Sequence, residues 1–261
     1  QSSFRGGIII MKKHLKVILC FVITAIIIIG AILFFRHNYV NLEGEFVKRD
    51  IEEITVDLED INVNELNRCS EIRDMIVSRS ADDSFAHLKV FKHLERMLVF
   101  YSLDEYSSDF IDKINKQPNL KTLDFVFSKV DLNGINNSSV ETMILSSTFV
   151  KNLQSVADCG TLTYLSLDSV KVDGCIIAEK NTSDDKESYN YYLRNSSVFS
   201  TLDNIEELSF YNIYIEDISG FADMDSLKSI TISEGFISDE TIKALEENGI
   251  DVIIDTIEEN S

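Results

Sequence analysis

Val150-Lys-Asn-Leu153-Gln-Ser-Val156-Ala-Asp-Cys159-Gly-Thr-Leu162-Thr-Tyr-Leu165-Ser-Leu167 and Ile215-Glu-Asp-Ile218-Ser-Gly-Phe221-Ala-Asp-Met224-Asp-Ser-Leu227-Lys-Ser-Ile230-Thr-Ile232 are one pattern written twice, 65 residues apart. Apolar residues recur every third position and close in a Leu-x-x-Leu-x-Leu run. The shared alanines, Ala157 and Ala222, are each followed by an aspartate. The register parts only at its next position, where Gly235 stands opposite Val170. Such a unit predicts one coil of a solenoid, closing in a short strand whose alternate side chains face the interior. Repeats at a fixed period decide the architecture before any local motif does.

The period runs along most of the chain. Strand motifs start at Ile51, Ile72, Leu94, Leu120, Val140, Leu162, Ile205, Leu227 and Ile250, with gaps of 21, 22, 26, 20, 22, 43, 22 and 23 residues. Apolar residues follow three and five positions on, as at Ile54 and Val56, Met97 and Val99, or Leu208 and Phe210. The long gap holds either a degenerate coil or an inserted loop. Asn181 to Asn190 carries no apolar register, which favours an insertion near 178–198.

Residues 51–261 resemble bacterial leucine-rich repeat surface proteins. The stretch from Ile215 to Ile232 is similar to the 22-residue unit of internalin-type proteins, and Cys159-Gly-Thr-Leu162 resembles surface-antigen repeats. The resemblance implies an α/β repeat: a leucine-rich repeat solenoid with short parallel strands on its concave face. It also implies a polar ladder residue three positions after the last strand leucine. Here those positions hold Glu59, Ser80, Ser102, Ser128 and Thr148, then Val170 and Ile213. Hydroxyls can replace some ladder hydrogen bonds, but Val and Ile cannot, so the later coils are expected to be irregular.

Val17 to Phe35 is an uncharged run of 19 residues. As a helix it reaches roughly 28 Å, close to a bilayer's hydrocarbon thickness. Lys12, Lys13 and Lys16 precede it, whereas Arg36 is followed by Glu43 and Glu45. This bias predicts a single transmembrane helix over 17–35, a cytoplasmic tail at 11–16, and repeats outside the cell membrane. A cleaved export signal is the competing reading, with a shorter apolar region and small residues at its end. Residues 36–50 read as a linker or N-terminal cap. Arg5-Gly-Gly7 can be encoded by a purine-rich ribosome-binding sequence and lies at suitable spacing before Met11. Met11 is therefore expected to initiate translation, with residues 1–10 an untranslated leader; a genuine extended tail is the alternative.

The formal net charge is −20, and residues 1–35 contribute four cations and no acid, so the remainder carries −24. Such a surface repels nucleic acid and anionic polymers and attracts cations, though its plainest role is solubility. Cys69, Cys159 and Cys175 fall on inward positions and are expected to be buried thiols. No phosphate loop, nucleophile elbow or Cys-x-x-Cys is present. His87 and His93 are separated by the core positions Leu88 and Phe91, which argues against a metal pair. Neither enzymatic activity nor a cofactor is expected.

Alternate strand residues point away from the core. In the outer coils these are polar: Thr55, Asp57, Ser166, Asp168, Ser209, Thr231 and Ser233. In the second to fifth coils they include Ile76, Leu98, Phe100, Val126 and Ile144, with Tyr101 and Phe127 beside them. An apolar, aromatic cluster with a polar rim predicts a face that binds a protein or peptide without covalent chemistry. Cover by the inserted segment is the competing reading. An accessory subunit of an envelope complex, assembling through the anchor helix, is the alternative function.

Overall fold

The computed structural model describes residues 22–42, 44–57, 61–78, 87–100, 105–106, 108–180 and 189–255. Nine parallel strands, one per coil, lie side by side in chain order: Glu53–Asp57, Asp74–Ser78, Arg96–Phe100, Thr122–Val126, Thr142–Ser146, Tyr164–Asp168, Glu207–Tyr211, Ser229–Ser233 and Asp251–Asp255. The first eight begin two residues after the starts read from the sequence. Their inward residues form one continuous core; Met75, Val99, Phe125, Leu145, Leu167, Phe210 and Ile230 are all at most 1% exposed.

The ninth strand departs by one residue. Ile230 pairs with Val252 and Ile232 with Ile254, so these two, rather than Ile253, take the inward register. The helix Asp239–Glu247 ends at Gly249, which turns at a φ of +81° and brings the chain to the sheet one residue early. A left-handed φ of this kind favours glycine because it has no Cβ to collide with the backbone.

A second sheet, absent from the sequence reading, runs along the coils. Its strands are Glu105–Tyr106, Lys129–Asp131, Phe149–Lys151, Lys171–Val172, Ile176–Lys180, Tyr189–Leu193 and Ile213–Ile215. Five corners lead from the first sheet towards it, and each is a single left-handed residue: Phe127, Ser147, Ser169, Asn212 and Glu234, with φ of 49°, 49°, 47°, 54° and 51°. Non-glycine residues in this region carry strain of order 1–2 kcal/mol. The first four corner N–H groups donate to the last strand residue of the next coil, at 2.8–3.0 Å, from Phe127 to Ser146, Ser147 to Asp168, Ser169 to Tyr211 and Asn212 to Ser233. The kink thus adds a rung to the ladder as it turns the chain.

This arrangement overturns the expectation of irregular later coils. Val170 and Ile213 offer no side-chain hydrogen bond, yet the strands around them pair over five residues each. Backbone bonds of the second sheet tie the coils instead, as from Lys171 N–H to Thr148 O at 3.0 Å. A side-chain ladder persists in the loops before the strands. Asn137 Nδ2, in a residue 2% exposed, donates to Ile114 O at 2.6 Å and Gln117 O at 2.9 Å. The glycine opposite Val170 also has a physical cause, because a Cβ on Gly235 would lie 2.2 Å from Ile213 O.

The 43-residue gap contains an antiparallel hairpin, Ile176–Lys180 with Tyr189–Leu193, inserted into the second sheet between Lys171–Val172 and Ile213–Ile215. Residues 181–188 lie outside the described residues. Cys69, Cys159 and Cys175 are buried free thiols, as their register predicts. Burial pushes Cys159 up to about 11 and Cys175 up to about 12, so neither is an effective thiolate nucleophile.

At the N-terminal end, residues 22–38 are helical and lead into the hairpin Tyr39–Leu42 with Glu45–Lys48. Val40 and Leu42 close this end of the core. Arg49 Nη1 donates to His37 O at 3.0 Å, and Arg68 Nη2 donates to Arg36 O. Cations therefore meet the last carbonyls of the helix, where its dipole favours them. The apolar side chains of the helix face outward, among them Ile26, Ile27, Leu33 and Phe34. Among the described residues no helix is long and apolar enough to cross a membrane, and residues 17–21 of the expected span lie outside them.

Candidate binding site

The outward residues of the nine-stranded sheet stand in three rows, because parallel pairing aligns equivalent positions of successive coils. In the middle row Ile76 pairs with Leu98, Leu98 with Asp124, and Asp124 with Ile144. In the third row Ser78 pairs with Phe100, Phe100 with Val126, and Val126 with Ser146. Six of the seven residues singled out in the sequence therefore gather on one face or at its corner. Ile76, Phe100 and Phe127 are 39%, 40% and 52% exposed, while Leu98, Val126 and Ile144 are half-buried. The Phe100 and Phe127 rings meet edge to face with centroids 5.9 Å apart. Tyr101 lies outside the described residues. Beside the cluster, Glu53, Asp74, Ile76, Arg96 and Leu98 line an open cavity of about 400 Å³.

Two members of this face are absent from the sequence reading. Asp124 sits in the middle row between Leu98 and Ile144 and is only 3% exposed. Its Oδ2 accepts from Arg96 Nη2 at 2.6 Å and Nε at 3.1 Å, whereas Oδ1 has no hydrogen-bond partner. Burial raises the Asp124 carboxyl above its ordinary range, outweighing the hydrogen bond and charge of Arg96. The Arg96 guanidinium is held in its charged form by the same pair. The available signal was an acid at an outward position flanked by apolar ones, in Leu123-Asp124-Phe125-Val126. An apolar-only search passes over it.

The rim is acidic. Glu53, Asp74, Glu207 and Asp251 stand in the first row, and Asp57, Asp168 and Asp255 in the third. Arg96 is the only basic residue in the three rows. The described part of the inserted hairpin belongs to the second sheet. Among the described residues no group of three or more His, Cys, Asp or Glu side chains is placed to hold a metal ion.

No protein-family model matches the chain, and no curated protein is significantly similar to it. Among solved structures, internalin C2 of Listeria monocytogenes is 16% identical with a TM-score of 0.48, over 82% of this chain and 86% of that one. Internalin F of the same organism is 14% identical with a TM-score of 0.43, over 82% and 65%. A TLR13–ssRNA13 complex is 14% identical with a TM-score of 0.48, over 82% and 33%. The chain thus spans just under two thirds of internalin F and about a third of TLR13. All three are leucine-rich repeat proteins. The chain's own coils define the architecture, because their Leu-x-x-Leu-x-Leu strands stack in parallel and in register.

Proposed function

We propose that the outer face of the nine-stranded sheet binds a protein or peptide partner without covalent chemistry. The observation that carries this reading is the cluster of Ile76, Leu98, Phe100, Val126, Phe127 and Ile144 on a face whose other outward positions are mostly polar, Ile253 on the last strand excepted. A sheet face turned to water needs no aromatic pair at its centre, and a contiguous apolar patch marks an interaction surface. The excess of acids around it disfavours nucleic acid as the ligand. Partner recovery from cell envelopes by the full chain in detergent, compared with its Phe100→Ser/Val126→Ser variant, tests the assignment. Recovery should be lost in the variant.

Display outside the cell membrane is part of the same proposal. Its support is the uncharged run 17–35 with cations on its N-terminal side. A reporter fused after Ser261 should be active on the extracytoplasmic side. Activity in the cytoplasm would reverse the assigned orientation.

A further inference from the structure

Asp124 Oδ1 is the only buried side-chain polar atom without a hydrogen bond among the described residues. A buried acceptor left unpaired is destabilising, more so when it is charged. Nothing in the sheet requires an acid here, since Ile144 and Leu98 occupy the same row on either side and Ser166 and Ser209 follow. The carboxylate therefore opposes folding at the centre of the apolar cluster. Functional sites are where such local conflicts are retained.

The surroundings specify what would satisfy it. An unpaired carboxylate oxygen accepts a donor, and the acidic rim draws a positively charged one. Leu98 and Ile144 flank the position and offer apolar surface to an aliphatic stem, with Phe100 and Val126 in the next row. Lysine and arginine bury their stems on such surface while placing the cation at its end. Access requires a side chain to move, because Oδ1 is sealed from solvent. Arg96 is half exposed and stands directly opposite Asp74 in the neighbouring strand, whose charge it already senses. It can exchange one carboxylate for the other and remain paired.

We propose that the partner docks an arginine or lysine, flanked by apolar residues, onto Asp124, with Arg96 turning to Asp74 as the cation enters. This rests on the reading of the face as a binding surface. The probes are two capped pentapeptides, Ser-Leu-Arg-Leu-Ser and Ser-Leu-Gln-Leu-Ser, titrated to millimolar concentration against the full chain in detergent. The arginine peptide should bind at least tenfold more tightly, a difference of about 1.4 kcal/mol. Asp124→Asn should reduce that preference to about threefold or less, while melting at the same temperature as the parent or higher. One charge removed from a net −20 cannot produce this change through the general field.

Equal binding of the two peptides, or a preference that survives Asp124→Asn, would overturn the cation assignment. If both peptides then still lose affinity in Phe100→Ser/Val126→Ser, the binding face itself stands. Absence of binding by either peptide would overturn the cation assignment, and the partner-recovery experiment would decide the face separately.

Discussion

Replacing Gly220 by alanine should destabilise the C-terminal coils by about 3 kcal/mol or more, a magnitude reserved for core clashes and broken buried networks. The added Cβ would lie 1.9 Å from Ser196 O and 2.5 Å from its carbonyl carbon. Non-bonded carbon contacts normally settle near 3.5–4.0 Å, so one backbone segment must give way. Both segments are committed elsewhere. Ser196 is fully buried, and its N–H and Oγ donate to Asp217 Oδ2 at 2.6 and 2.8 Å. Gly220 N–H in turn donates to Ser196 Oγ at 2.8 Å, and Ser196 O accepts from Phe199 N–H at 2.9 Å to open a short 3-10 helix. A shift at Gly220 therefore breaks bonds on both sides. Because each coil contacts chiefly its neighbours, hydrogen exchange should accelerate around Glu207–Tyr211 and Ile213–Ile215 before it does in the N-terminal coils. A melting temperature unchanged to within roughly 2 °C would refute this account of the contact.

The same node gives a pH dependence with a defined sign. Burial pushes Asp217 up, but hydrogen bonds from Ser196 and Ser219 outweigh it and lower the carboxyl from 3.8 to about 2. Stability from Asp217 is present in full above the unfolded value and is lost as the pH falls from about 4 through 2. Asp217→Asn should remove that part of the acid transition. Asp124 has the opposite sign, because its raised carboxyl makes the charged form unfavourable in the folded chain.

Much of the first sheet was legible because a solenoid repeats its own instructions. Eight strand positions followed from apolar spacing alone, and the outward cluster followed from period-two alternation. The ninth strand slipped by one because the turn at Gly249, and not an apolar residue, sets its entry. The second sheet was hidden for a different reason. Its strands span only two to five residues, and the corners that lead from the first sheet towards it are made by Phe127, Ser147, Ser169, Asn212 and Glu234. These share a backbone conformation without sharing a residue type, so no motif announces them. Gly235 looked like a failed repeat and is instead a close approach between coils. Asp124 escaped for a chemical reason: a carboxylate in an apolar row reads as solvated until its burial and its pairing with Arg96 are seen.

The largest effect on recognition should come from Phe100→Ser combined with Val126→Ser. Phe100 pairs with Val126 across adjacent strands and meets the Phe127 ring, at the centre of the apolar cluster. Aromatic anchors at an interface centre are worth about 2 kcal/mol or more on truncation, equivalent to at least roughly thirtyfold in affinity. Both side chains point away from the core filled by Met97, Val99, Leu123 and Phe125, so their removal opens no interior cavity. The decisive measurement is partner affinity of this double variant taken beside its melting temperature. A loss of at least roughly thirtyfold, with melting within roughly 3 °C of the parent, is the expected result. Unchanged affinity at unchanged stability, or a melting temperature that collapses with the substitutions, would contradict the assignment of this face to binding.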